Sequence, residues 1–491
     1  MGEVDNFFEY FVFFYASSMI LLYLVLAVFS FINITRYKTY NSRIDDQFLL
    51  ESPLTPGISV VAPAYNEEKT IIVNVKSLLT LNYPLYEVII VNDGSKDRTL
   101  ELLIEEFELQ ETPYAYVERI KTKPFKRIFK STNPAHSKLT VVDKVNGGTK
   151  ADASNAGINA SQYPYFLCTD VDCILERNTL LKMIKPVLNS TTRVISVGAT
   201  LRMSNSCEIK DGVITRVKPP KALIPRFQEM EYLRAYLFGK MGWSLMNCVP
   251  NVSGGLGLFD KEIAVNAGGY DGLSHAEDMD IMVKMAAHMI NNHQKYRITY
   301  IPVSCCWTEG PPNIKILGRQ RARWATGLAQ IFFVHRKILF NPRYKKLGLI
   351  TFPLQLIYEF LAPIIEFAGL IYFIFLVIGN HVNWGMATYI FFYSYTVAIM
   401  FGTLVLLMDN FVKRQYETMG ETFRLWLMVF LEPFLYHPLL IYFSLKGYYN
   451  FYAARKIEWG TMTRQGYDAS NNTGNSTAVP VEENKTENTN V

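Results

Sequence analysis

Residues 10 to 32 read YFVFFYASSMILLYLVLAVFSFI, without one charge along the run. At 1.5 Å per residue such a stretch crosses the ~30 Å of hydrocarbon in a bilayer, and a single apolar run satisfies its backbone there only as a helix. A membrane span is therefore predicted inside an N-terminal segment covering residues 1–35. Glu3, Asp5 and Glu9 precede the run, while Arg36, Lys38 and Arg43 follow it. A cleaved leader would begin with positive charge, and the positive-inside bias puts the N-terminus outside and residue 36 onward in the cytosol.

The rest of the chain must hang from that anchor. Of 491 residues, 49% are hydrophobic, enough for one water-soluble domain plus further membrane helices. Within residues 36–312, short β-branched runs (ISVVAP, EVIIVND, LTVVDK, YFLCTDVD, VISVGAT) alternate with helical stretches such as KTIIVNVKSLLTL. The alternation predicts an α/β, Rossmann-like domain with a mainly parallel sheet, whose ligands bind beyond the carboxyl ends of the strands.

Residues 313–346 read as partly basic interfacial helices, and apolar runs near 349 to 378, 387 to 408 and 425 to 445 predict helices of a C-terminal membrane region, 347–450. Pro353, Glu359, Pro363 and Glu366 interrupt the first run, and Glu432, Pro433, His437 and Pro438 the last, so either is expected to bend, re-enter or lie at the interface. If all three crossed, the C-terminus would lie outside, whereas Lys446, Arg455, Lys456 and Arg464 favour the inside. One interrupted run is thus expected not to cross, or the first to cross twice. Residues 451–467 read as an interfacial segment, and 468–491, polar and without aromatics, as a disordered tail.

Six cysteines show no CxxC pair and no histidine at zinc-finger spacing, so they read as reduced, buried thiols. The net charge of +5 is modest, and Lys121, Lys123, Lys126, Arg127 and Lys130 read as a solvated loop or a contact with anionic lipid heads in preference to a nucleic-acid site.

Acidic residues gather at the ends of the expected strands. Asn92 and Asp93 close VIIVND before Gly94 and Ser95, which allow a tight turn, and Asn66 and Glu67 close APAYNEE. In CTDVDC, Asp170 and Asp172 alternate at a strand end, an arrangement of hard oxygen donors suited to a divalent cation beside a diphosphate. Lys150 opens a helix after the Gly-rich turn NGG, where an ammonium beside backbone donors suits a phosphate. Glu277, Asp278 and Asp280 in HAEDMD open another helix. There acidic residues commonly offset the dipole, but one carboxylate can also take a proton from an attacking hydroxyl.

The ordered set Asp93, Asp170/Asp172, Asp278, then Gln320, Arg323 and Trp324 in QRARW resembles the membrane-embedded family 2 glycosyltransferases, the group of cellulose, chitin, hyaluronan and poly-N-acetylglucosamine synthases. NGGTKADASNAGINAS, CCWTEGPP and EWGTMTRQGY resemble the poly-N-acetylglucosamine synthase branch in particular. The resemblance implies a GT-A domain that binds a nucleotide sugar, joined to a membrane channel. Glu67 and Asp93 would contact the uridine, Lys150 the diphosphate, with Asp170 beside it and Asp172 holding Mg²⁺ or Mn²⁺. It further implies Asp278 as catalytic base with Glu277 beside it, Gln320 and Trp324 on the acceptor sugar, and Arg323 on the leaving diphosphate. Ala276 stands where that branch commonly carries Gly, or the wider family Thr, and the loop NVSGGLGLF with Ser253 departs from the acceptor-site motif of cellulose synthases.

The implied reaction is an inverting transfer from a UDP-sugar, UDP-N-acetylglucosamine or UDP-glucose foremost, to a growing polysaccharide. Chain growth would be processive and coupled to secretion across the plasma membrane, with membrane lipid and an accessory membrane subunit as further partners. Two alternatives stay open: transfer of one or two sugars to a membrane lipid, and a non-catalytic partner that senses a nucleotide or assists export.

Overall fold

The computed structural model describes residues 2–41, 44–114, 116–210 and 212–453. Most of the expected interfacial segment 451–467 and the expected tail 468–491 lie outside the described residues. In chain order the strands are β1 (Ile58–Ala64), β2 (Tyr86–Asn92), β3 (Leu109–Glu111), β4 (Phe125–Ser131), β5 (Leu139–Lys144), β6 (Tyr165–Thr169), β7 (Ile174–Leu175), β8 (Val194–Met203), β9 (Glu208–Lys210), β10 (Val213–Arg216), β11 (Leu256–Asp260) and β12 (Arg297–Thr308). β9 and β10 pair with each other, and the other ten form one sheet in the order β3-β4-β5-β2-β1-β6-β11-β8-β12-β7.

The run β5-β2-β1-β6 is parallel throughout, and β8 pairs parallel with β12. This is the Rossmann-like arrangement of a GT-A domain. β1, β2 and β5 are buried almost residue for residue, as strands covered on both faces must be. β11 enters between β6 and β8, antiparallel to both, a placement that its apolar run LGLF does not announce. Lys126, Arg127 and Lys130 lie on β4, between edge strand β3 and β5, and not in a loop, with Arg127 ion-paired to Asp143 at 3.2 Å. All six cysteines are free, and only Cys207 is not fully buried.

Helices long and apolar enough to cross a membrane cover Tyr10–Asn41, Leu347–Ile378 and Trp384–Val412. The last apolar stretch is a bent pair, Met419–Leu435 and His437–Tyr452, at 53° to each other, broken where Pro433, His437 and Pro438 gather. The first helix packs against the segment Met241–Met246 so closely that a Cβ on Gly242 would lie 2.8 Å from the Leu26 carbonyl oxygen.

Buried ion pairs join the sheet domain to the membrane helices. Arg202, at the end of β8, donates Nη1 to Glu229 at 2.9 Å and Nε to Ser304 at 2.7 Å, and pairs with Asp409 near the end of Trp384–Val412. The Tyr416 hydroxyl donates to the same Glu229 at 2.8 Å. Arg234 holds Glu432 in the bent pair, with one N···O distance of 3.0 Å.

Candidate active site

Strand register brings the carboxyl ends of the parallel run to one edge: Ala64 stands opposite Asn92, and Asn92 opposite Asp143. The loops leaving that edge form one wall of a cavity of about 1820 Å³, which continues to the helix Ile314–Val334 and the arm His437–Tyr452. Glu67, Asp93, Lys150, Asp170, Asp172, Glu277, Asp278, Gln320, Arg323 and Trp324 all line it. They come from segments more than two hundred residues apart, so only the fold could collect them.

At the open end, Asn66 adopts a left-handed φ of 57°, and its Oδ1 accepts from the Lys96 amide at 2.9 Å, locking the loops after β1 and β2 together. Glu67 accepts from the Thr70 hydroxyl at 3.1 Å on the rim. Gly94 turns the chain at φ 64°, where a Cβ would sit 2.9 Å from the Asn146 amide nitrogen, so the space as well as the conformation requires glycine. Asp93 Oδ1 accepts from Lys144 Nζ at 2.8 Å and from the Gly147 amide at 2.9 Å. Lys144 is fully buried at the end of β5 and also reaches Asp152 at 2.5 Å, so one cation serves two carboxylates. LTVVDK ends on a charge at the ligand edge of the sheet, a signal that would have marked Lys144 as a site residue.

β6 stops at Thr169, whose hydroxyl donates to the Gly255 carbonyl at 2.9 Å. Asp170 and Asp172 therefore do not alternate along a strand. They stand in the turn that the Cys173 amide closes on the Asp170 carbonyl at 3.0 Å, and both side chains are half-buried. The carboxylate oxygens of these two residues and the sulfur of Cys173 lie within 4.8 Å of one another. A hydrogen bond with Cys306 and burial push the Cys173 thiol well above its ordinary pKa, so it stays neutral, and the donors this group can offer a cation are carboxylate oxygens. That set fits a hard divalent ion.

Lys150 begins the helix Lys150–Ala160, where the Thr149 hydroxyl caps by accepting from the Asp152 amide at 3.4 Å. It is no solvated lysine: its ammonium donates to the Gly254 carbonyl at 2.8 Å and pairs with Asp170. Burial opposes its charge, but Asp170 and then more distant negative groups including Glu277 hold its pKa above the ordinary range. A Cβ on Gly254 would lie 3.4 Å from Lys150 Nζ and 3.9 Å from Asp278 Oδ2, so the bare loop at Gly254 lets these two groups share one space.

Glu277 and Asp278 open the helix Glu277–Asn291. Glu277 is buried, and burial together with the Asp278 carboxylate raises its pKa, partly offset by Lys150 and Arg323. Asp278 is half-buried and faces the cavity. One turn on, Asp280 is bonded to His335 Nε2 at 2.7 Å, which ties this helix to the far end of Ile314–Val334.

On that second helix the two arginines of QRARW separate. Arg321 points inward, donating to both Glu231 oxygens at 2.5 and 2.6 Å and to the Tyr436 hydroxyl at 3.1 Å. Its guanidinium carbon lies 4.5 Å from the Trp324 ring centroid, so one face of the indole rests on Arg321. Arg323 lines the cavity, where its charge joins burial in lowering the pKa of His275. Gln320 accepts from Gln228 Nε2 at 3.1 Å. Glu231, Arg321 and Tyr436 carry no sequence signal of their own, because their pairing depends on the bend between two later helices.

Residues 59–212 match the family model described as glycosyl transferase family 2, and residues 226–408 that of glycosyl transferase family group 2, together more than half of the 491 residues. The chain is a family 2 glycosyltransferase. The first match takes in the loops after β1 and β2 and Asp170/Asp172; the second takes in Asp278, the QRARW helix, the helix Leu347–Ile378 and most of Trp384–Val412. This glycosyltransferase is 28% identical over 369 residues to a poly-β-1,6-N-acetyl-D-glucosamine synthase of Staphylococcus epidermidis, an alignment covering 74% of this chain and 76% of the relative. It is also 28% identical over 297 residues to the Staphylococcus aureus (strain COL) protein of that description, at 59% of each chain. A solved mannosyltransferase from Pyrobaculum calidifontis, in complex with GDP-Man and Mn²⁺, superposes with a TM-score of 0.46 at 17% identity, covering 89% of this chain and all of that one.

Proposed function

We propose that this glycosyltransferase moves a sugar from a UDP-sugar to a hydroxyl of a growing polysaccharide with inversion at the anomeric carbon. The observation that carries the reading is the place of Asp278, in one cavity with the Lys150/Asp170/Asp172 group on one side and Gln320 and Trp324 on another. Asp278 takes the proton of the acceptor hydroxyl as its oxygen bonds to the anomeric carbon, while the bond from that carbon to the diphosphate oxygen breaks. Lys150 and Arg323 face the charge that grows on the departing diphosphate. Trp324 offers its uncovered indole face to the acceptor ring, with Arg321 bracing the other. Asp172 with Asp170 would hold Mg²⁺ or Mn²⁺, which when bound neutralises diphosphate oxygens.

UDP-N-acetylglucosamine is the first donor to test, because the relatives are described as N-acetylglucosamine polymer synthases, and UDP-glucose the second. UDP release by detergent-purified protein, followed by sizing of the product, tests the reading. Long chains from one donor support it, one or two sugars on an extracted lipid point to the lipid acceptor, and no release from any donor refutes it. Chelation with EDTA is expected to stop UDP release, and Mg²⁺ or Mn²⁺ to restore it. In Asp172→Asn, half-maximal recovery should need at least about tenfold more metal, equivalent to ~1.4 kcal/mol of lost affinity. Lys144→Met leaves Asp93 and Asp152 facing each other without their shared cation, and UDP affinity measured by calorimetry should fall by about tenfold or more.

The same reading places the sheet domain, residues 36–312, in the cytosol of a multi-pass plasma-membrane protein. Three crossings by Tyr10–Asn41, Leu347–Ile378 and Trp384–Val412, with the bent pair turning back, bring the chain end inside, in accord with Lys446. Support for the turn-back comes from the arm His437–Tyr452, which lies along the QRARW helix: the Thr326 hydroxyl donates to the Gly447 carbonyl at 2.9 Å.

A further inference from the structure

We propose that Lys240 is an acceptor-binding residue, its ammonium holding the hydroxyl or carbonyl oxygens of a neutral saccharide beyond the hydroxyl that Asp278 deprotonates. The proposal rests on the glycosyl-transfer reading above and adds to it a residue outside every motif of the sequence. Lys240 ends a π-helical segment, Arg234–Lys240. Wider turns of this kind shift the face a helix presents and recur at functional sites. Here the segment delivers both Tyr236 and Lys240 to the wall of the cavity that holds Asp278.

The ammonium is set among ring faces. Its nitrogen lies 4.9 Å from the centroid of Tyr236 and 5.5 Å from that of Tyr300, and among the described residues no carboxylate stands within ion-pair reach of it. The buried Lys144 and Lys185 and the half-buried Lys150 each have such a partner. Beside it, the Tyr300 side chain is 2% exposed, and its hydroxyl has no hydrogen-bond partner. A cation left without an ion-pair partner in the wall of a cavity is a group whose desolvation a bound ligand would offset. Burial lowers the pKa of Lys240 to about 8, with Asp278 and Glu359 acting in the opposite direction.

Two features select the occupant. Asn33 of the first membrane helix donates to the carbonyl of Met241, the residue after Lys240, at 2.9 Å, and Glu359 of the helix Leu347–Ile378 lines the cavity too. Lys240 thus stands at the end of the cavity where the membrane helices begin, while the nucleotide-side loops form the other end. An ammonium, a carboxylate and tyrosine rings together offer donors, acceptors and apolar faces without a strong net charge, which suits a neutral sugar better than a polyanion.

The test uses the full chain in detergent, titrated by calorimetry with N-acetylglucosamine oligosaccharides of one to four units in the presence of UDP. Lys240→Met should weaken oligosaccharide binding about tenfold and leave UDP affinity within twofold, and Lys240→Arg should recover part of the loss. In turnover, the acceptor KM should rise while hydrolysis of the UDP-sugar without acceptor stays at the wild-type rate. Oligosaccharide affinity unchanged in Lys240→Met would overturn the proposal, as would an equal loss of UDP affinity in both variants. A wild-type protein that binds the oligosaccharides but releases no UDP from any donor would count against the glycosyl-transfer reading, while the binding comparison would still decide the role of Lys240.

Discussion

Asp278→Asn is expected to lower UDP-sugar turnover by roughly a thousandfold, within the 10²–10⁴ range for loss of a positioned base, which is about 4 kcal/mol in the barrier. The amide keeps the size of the side chain and cannot take the proton of an attacking hydroxyl. UDP affinity should change little, since Lys150, Asp93 and the loop after β2 are untouched. Glu277→Gln is the control. Glu277 is buried whereas Asp278 is half-buried in the cavity wall, so an attacking hydroxyl reaches Asp278 more readily and Glu277 suits an orienting role. Equal losses in both variants, with normal UDP binding, would move the base to Glu277, and normal turnover in Asp278→Asn would remove Asp278 from the mechanism.

Arg202→Ala is expected to destabilise the protein by ~3–5 kcal/mol, the usual consequence of removing one partner from a buried ion-pair network. Without Arg202, Glu229 and Asp409 remain buried with no compensating cation, and the Ser304 hydroxyl loses its donor. Thermal unfolding in detergent should show a large fall in midpoint. The variant Arg202→Met with Glu229→Gln and Asp409→Asn, which removes all three charges, should recover part of it. If the triple variant is no better than Arg202→Ala, the network matters for its hydrogen-bond geometry more than for its charge balance.

The parallel strands were legible in the sequence because each combined an apolar β-branched run with a turn, and Glu67, Asp93, Asp170 and Asp172 because acidic residues gather after those runs. Asp278, Gln320, Arg323 and Trp324, which lie on helices, stood out instead through the family resemblance. What escaped was set by partners far away in the chain. Lys144 meets Asp93 fifty-one positions back, and Arg321 meets Glu231 ninety positions back, so no local pattern separates the arginine of QRARW that pairs with Glu231 from its neighbour Arg323. Asp170 and Asp172 looked like alternating strand residues, yet β6 ends one residue earlier, where Thr169 turns to bond Gly255. The π-helical segment that presents Lys240 has the composition of an ordinary helix. Nor does periodicity reveal the antiparallel entry of β11, because a strand buried on both faces reads alike in either direction.

Arg202, Glu229 and Arg234 belong to the sheet domain and the helix that follows it, but Asp409 and Glu432 belong to helices that arrive more than a hundred and seventy residues later. The sheet domain is consequently not a detachable head. A fragment ending before the last membrane helices would leave the buried Arg202 and the half-buried Arg234 without Asp409 and Glu432, and should aggregate or unfold instead of behaving as a free enzyme. During synthesis this domain completes its charge balance only once the last helices have been made, so it cannot finish folding ahead of the end of the chain.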